Sequence, residues 1–402
     1  EKIYIMGNTK TIDKVIRREL EITEAEPYSI TKLKRSKQNL MRLGYFKDVN
    51  LSTEKGSSPD KLNVKISVEE APTGSISGGV GFSSIEQLFA VFQIQERNLF
   101  GTGRQAGIVA QLGTKRQFYD ISFTEPRFYD TNLLTGFDVF NLTTTYLDFS
   151  RRDTGGALRF GYPLPREMYF TTTYRYELIK IFDVSESAST FLKEAEKEGE
   201  RRVSSIVSTI SKSTLNNPID PTSGLYTRLS VGLAGAFLGG NTDFIKTIYG
   251  FRYYWPLRWD LVYMFNGEIG YGRKLPSGDL PLIERFFLGG INTVRGYRSR
   301  SLGPKDPKTG DVIGGNKELF FNNEISFPIV KEAGLKGVVF LDAGNAFSEG
   351  EDLSLSDLRV GAGWGIRWLS PLGPIRIELG YPINKKKGDK SQVIEFSIGR
   401  FF

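Results

Sequence analysis

The chain has 402 residues, no cysteine and no histidine, and its 53 lysines and arginines against 46 acids leave a net charge of +7. This excludes a disulfide framework, thiol chemistry, the usual serine triads and most zinc sites. The basic residues are spread along the chain, so the charge points to no nucleic-acid partner.

Mean hydropathy is −0.26, and no run reaches the ~18 apolar residues of a membrane helix. That test is blind to β-barrels, whose strands alternate apolar and polar residues. The length suggests two domains. Glu1 falls inside a predicted strand with no signal segment before it, as expected of a mature or truncated fragment.

In the first seventy residues the periodicity predicts β-α-α-β-β. A strand over Lys2–Met6 ends at Gly7-Asn8. Thr9 or Thr11 is the expected cap of a helix running to about Leu20, and Ser29 caps a second helix that Gly44 ends. Strands follow at Phe46–Thr53 and Leu62–Glu69, joined by the turn Gly56–Asp60. The phrases G-N-x-x-T at Gly7–Thr11, L-x-x-L-G-Y-F-K-D-V at Leu40–Val49 and V-E-E-A-P-T-G at Val68–Gly74 resemble a POTRA domain. The resemblance implies a periplasmic module that offers sheet edges to client strands, with boundaries at 1–73.

From residue 74 to the end, segments alternate with period two. Leu358, Val360, Ala362, Trp364, Ile366 and Trp368 share one face, and Arg359, Gly361, Gly363, Gly365 and Arg367 the other. Ile375, Ile377, Leu379 and Tyr381 likewise oppose Arg376, Glu378 and Gly380. An aromatic-rich apolar face backed by charge and glycine, strand after strand, fits a lipid-facing wall around a polar lumen. The segments number about sixteen. Expected short turns are 125–132, 162–167, 256–259 and 370–374. Expected long loops are 143–151, 183–202, 274–316 and 345–357, the second with a short surface helix over 187–200. Gly101–Gly107 is only a weak echo of a nucleotide loop, since no helix follows it. Lys385–Lys387 reads as a solvated tip.

The long loop contains E-R-F-F-L-G-G-I-N-T-V-R-G-Y-R-S-R-S-L at Glu284–Leu302. Its apolar residues want burial, so it is expected to fold back into a cavity with Arg295 as its anchor. A guanidinium needs acceptors, and strand parity turns Glu324 and Asp342 towards the lumen. Hairpin counting separates the two acids by about three rows, or ~10 Å, which leaves one of them within direct reach of Arg295.

R-N-L-F-G-T-G at Arg97–Gly103, V-R-G-Y at Val294–Tyr297, F-L-D-A-G-N at Phe340–Asn345, R-W-L-S-P-L-G-P-I-R at Arg367–Arg376 and the ending F-S-I-G-R-F-F stand in the order of the BamA family. The chain resembles that family of outer-membrane assembly barrels over nearly its whole length. V-R-G-Y alone does not separate it from two-partner-secretion exporters, and a TamA-like assembly factor stays equally close. The resemblance implies a mostly β fold, with a transmembrane antiparallel barrel of about sixteen strands over 74–402 after the α+β POTRA domain. It implies a bacterial outer-membrane location, no bond chemistry, and no cofactor or metal. Partners would be unfolded outer-membrane clients, accessory periplasmic lipoproteins and outer-membrane lipid. It also implies that Arg295, Gly296 and Tyr297 dock against inner-wall acids at Glu324 and Asp342. A lateral seam is expected between the first strand, Ser75–Ser83, and the last, Val393–Phe402. Ser77, Gly78, Gly79 and Gly81 would weaken one side of it. Ile394, Phe396, Ile398, Gly399 and the terminal Phe402 form the other.

Overall fold

A computed structural model describes residues 1–276, 280–370 and 373–399. Residues 1–78, 92–109 and 120–138 form one compact unit, and residues 79–91, 110–119 and 139–402 a second.

In the first unit the strand Ile3–Met6 pairs in parallel with Leu62–Glu70, which pairs antiparallel with Phe46–Lys55. The helices Asp13–Arg17 and Ile30–Arg42 cover this sheet. Val15, Ile16, Leu40, Val49 and Ile66 are fully buried between the layers. Ser29 caps the second helix, its hydroxyl accepting from the Lys32 N–H at 3.3 Å. The first helix is shorter than expected, and neither threonine caps it. They serve Glu70 instead: the Thr9 and Thr11 N–H groups donate to its carboxylate at 3.0 and 2.6 Å, the Lys10 N–H at 3.0 Å and the Thr9 hydroxyl at 2.8 Å. One acidic side chain thus closes the turn against the end of the central strand. The turn Phe100–Gly103 belongs to the same unit, with the Ile12 N–H donating to the Gly101 carbonyl at 3.0 Å. The Asn98 amide reaches Thr11 Oγ1 at 2.9 Å.

Among the described residues, sixteen strands close into an antiparallel barrel, from Gly74–Ser83 as the first to Ile394–Ile398 as the last. Alternation decides which face each residue takes. Val339, Leu341, Ile377 and Ile394 are exposed on the outside, whereas Asp342, Glu378 and Glu395 are buried within. A soluble protein would not turn its aliphatic face out and its carboxylates in; a transmembrane barrel does. The surface helix forms at Thr190–Glu198.

Glu70 yields the first prediction. Its partial burial works against the charge, but the N–H donors of Thr11 and its neighbours outweigh that and hold the carboxyl at about 2, below the ordinary 4.5. A folded value below the unfolded one gives stability that is complete above pH 4.5 and lost as pH falls through about 2. Amide exchange at Thr9–Thr11 should therefore stay slow in mildly acidic buffer and quicken only near that lower value. In Glu70→Gln it should be fast at every pH.

Candidate functional site: a buried arginine network and a short seam

The loop between the eleventh strand, Val262–Lys274, and the twelfth, Lys317–Val330, folds into the lumen. Phe286, Leu288, Val294, Tyr297 and Leu302 pack with Phe320 and Ala346 of the wall. Arg295 is 1% exposed, so its charge must be met locally. Asp342 takes a fork, with Nε donating at 2.6 Å and Nη2 at 2.6 Å, while the Arg295 backbone N–H adds a third bond at 3.0 Å. Nη1 lies 2.6 Å from Glu324 and 2.9 Å from Glu378. The guanidinium also stands 3.5 Å from the Phe340 ring centroid.

The acids are held in turn by two more arginines. Arg367 donates to both oxygens of Glu324, at 2.9 and 2.8 Å, and to Glu378 at 2.9 Å. Arg376 forks onto Glu378 at 2.7 Å twice and reaches the Ile291 carbonyl of the loop at 3.1 Å. Three guanidiniums thus interlock with three carboxylates, the arrangement that makes buried charge tolerable.

Arg295 therefore engages both Glu324 and Asp342, where hairpin counting left it one. The ladder sets Glu324 opposite Phe340 and Asp342 opposite Asn322, so two rows separate the acids rather than three. The fork of the guanidinium spans that gap. Glu378, Arg367 and Arg376 were not singled out from the sequence as site residues, although the alternation had already turned all three towards the lumen.

Glycines let the loop backbone lie against the wall. A Cβ on Gly361 would stand 1.9 Å from the Arg295 carbonyl oxygen, and one on Gly380 2.5 Å from the Gly296 nitrogen. Gly296 itself has φ +91 and would meet the Gly380–Pro382 backbone, a position suited to a residue without a side chain. Tyr297 is fully buried, its hydroxyl 3.3 Å from the Val360 carbonyl and 3.3 Å from Asn384 Oδ1. Gly296 and Tyr297 form a short ladder with Gln392 and Ser391, and the Arg298 N–H donates to the Lys390 carbonyl at 2.8 Å. The Gly296 N–H also donates to Glu395 of the last strand at 3.3 Å. The other oxygen of Glu395 is buried without a partner.

Among the described residues the seam is shorter than the expected pairing of Ser75–Ser83 with Val393–Phe402. Among the described residues, the first and last strands pair at two rows, Ser397 opposite Ser83 and Ile398 opposite Phe82. One further bond runs from the Ser84 N–H to the Phe396 carbonyl at 3.0 Å, and the Phe82 and Phe396 rings lie 5.2 Å apart. The sixth and seventh strands, by contrast, pair from Phe182–Ser150 to Met168–Leu164. Among the described residues, Ser77, Gly78 and Gly79 have no rung to the last strand. The register would bring Gly81 opposite Gly399, whose φ of +80 departs from strand geometry. Ile394 and Phe396 pair on their other side with the fifteenth strand, Gly373–Pro382. Phe402 lies outside the described residues.

A transmembrane barrel with an arginine-pinned inner loop, following a β-α-α-β-β domain, defines a class of membrane protein. The chain belongs to the Omp85 superfamily, whose domain matches residues 98–402. A POTRA match, the surface antigen variable number repeat, covers residues 1–71. The outer membrane protein assembly factor BamA of Nitratidesulfovibrio vulgaris is 33% identical over 406 residues, covering 100% of this chain and 51% of that protein. The Neisseria meningitidis protein of the same name is 28% identical, with 100% and 56% covered. The chain thus spans about half the length of these two relatives. The crystal structure of BamA from Haemophilus ducreyi lacking POTRA domains 1–3 has the same fold, with a TM-score of 0.85 at 22% identity over 100% of this chain and 84% of that one.

Two substitutions test the anchor. Arg295→Ala leaves buried carboxylates uncompensated, a loss of roughly 3–5 kcal/mol for a broken buried pair. The loop should then become protease-sensitive and the barrel should unfold at lower temperature in a gel heat-modifiability assay. Gly361→Ala, which alters no charge, should loosen the loop similarly because its methyl displaces the Arg295 carbonyl.

Proposed function

We propose that this chain inserts and folds other β-barrel proteins in the bacterial outer membrane by parting the seam between its first and last strands. The observation that carries this reading is the two-row pairing of those strands among the described residues. A closed barrel in lipid keeps its backbone groups satisfied around the wall. At ~0.5–1.5 kcal/mol net for each hydrogen bond, so short a ladder costs little to separate. The opened first strand then presents unpaired N–H and C=O groups to an incoming client strand, which adds to it by β-augmentation.

Nothing in this process makes or breaks a covalent bond. Clients would be unfolded outer-membrane proteins, handed over with the help of periplasmic lipoproteins and bounded by membrane lipid. The N-terminal domain, residues 1–73, would stand in the periplasm and pass client strands along its sheet edge. The names of the full-length relatives support this reading.

Cysteines at Ser83 and Ser397 supply the test, since the chain has no native cysteine. The Ser84–Phe396 bond makes 83–397 the neighbouring non-hydrogen-bonded pair, where Cβ atoms approach most closely. Oxidation should stop client insertion into vesicles and reductant should restore it, while neither single cysteine has an effect. Insertion at the normal rate through the locked barrel would mean that the seam does not open.

A further inference from the structure

At the end of the barrel where the long loops gather, the second unit holds a half-open cavity of about 680 Å³. Lys115, Arg116, Arg151, Arg298, Arg300 and Lys390 line it, against Glu86, Asp148 and Asp311, which is six positive charges less three negative, or +3. Arg116 is paired with Glu86 at 3.3 Å and Arg151 with Asp153 at 2.7 Å. The other four cations have no side-chain hydrogen bond or ion pair among the described residues.

Arg300 is the most distinctive of them. Its guanidinium lies 3.6 Å from the Phe287 ring centroid and 4.7 Å from that of Tyr146. These rings fix the plane of the group but accept none of its five N–H donors. Its backbone sits at φ +58, a region a non-glycine residue occupies at a cost and that clusters at ligand sites. Burial, with the like charge of Arg151 beside it, pushes Arg300 below its ordinary value. Arg300 is half-buried, and Arg116 Nε is buried with no partner. Two oriented arginines with unused donors, and two lysines beside them, are short of a multivalent anion rather than of more protein.

We propose that this cavity binds the phosphate of a phosphorylated sugar. A tetrahedral dianion matches the arginine forks and the two lysines. The volume exceeds what a bare phosphate fills and lies in the range of small-molecule sites. Hydroxyls of Thr144, Ser299 and Ser301 and the stacked Tyr146–Phe149 pair, 4.6 Å between centroids, suit a sugar ring. The ligand is either a soluble sugar phosphate or the phosphorylated sugar headgroup of a lipid. The cavity wall includes Ser84 to Gln87 on one side of the seam and Gln392 on the other.

The test is titration calorimetry on the purified full chain in detergent, with glucose 1-phosphate and with glucose, and on the chain in phosphatidylcholine nanodiscs with lipid A, a phosphorylated glucosamine lipid. Glucose 1-phosphate, lipid A or both should bind, more weakly as salt rises, and glucose should not. Binding of lipid A alone assigns the site to a lipid headgroup, and binding of glucose 1-phosphate admits a soluble ligand. Arg300→Gln should weaken binding roughly tenfold or more, the scale of a lost charge-assisted hydrogen bond. If that variant does not fold, Arg298→Gln with Lys390→Gln, both at exposed side chains, must show the same loss. No binding of either phosphorylated probe, equal binding of glucose, or unchanged affinity in the variant that folds would overturn the assignment.

Discussion

The architecture of the second unit depends on neutralising one buried cation. Arg295 cannot lose its charge, and a lone guanidinium removed from water costs several kcal/mol. Its position inside the barrel is tenable only because Asp342, Glu324 and Glu378, from three different strands, converge on it. Those acids would repel one another without Arg367 and Arg376 between them. Loop and wall are therefore mutually required: the loop supplies one cation of the network, and the wall supplies every anion. The apolar residues around Arg295 exclude water, which strengthens each of these pairs.

Glycine does the steric part of the same task. Ordinary side chains at residues 361 and 380 would hold the loop off the wall and lengthen every contact Arg295 makes. Glycine in a strand normally weakens it. Here the local loss is offset by a close backbone approach that sets the distances of the ion pairs.

Much of this was legible in the sequence because a barrel strand has one simple rule, alternation. It turns Glu324, Asp342 and Glu378 inward and Leu341 and Ile377 outward, and the V-R-G-Y phrase marks the loop residue that needs acceptors. Three features were not legible. The partners of Thr9 and Thr11 lie some sixty residues away on Glu70, and a local capping rule cannot see them. The row spacing of Glu324 and Asp342 depends on the hairpin register, including the irregularity at Pro328/Val330, which counting along the chain cannot supply. The seam joins residues 312 apart with no turn to set their register, as between Ser84 and Phe396, so its length could not be read from two strand-like segments.

The two strands that meet at the seam are not equivalent. The last one has five rows on its inner neighbour, from Ile375–Ile398 to Leu379–Ile394. It is also laced to the inner loop through Glu395, and Gln392 and Ser391 just before it are laced there as well. The first strand has no such lacing among the described residues, carries Gly78, Gly79 and Gly81, and leaves Ile76 and Val80 about three-quarters exposed, at 74% and 75%. In the proposed opening, the last strand would stand as a fixed jamb and the first would move away from it like a door.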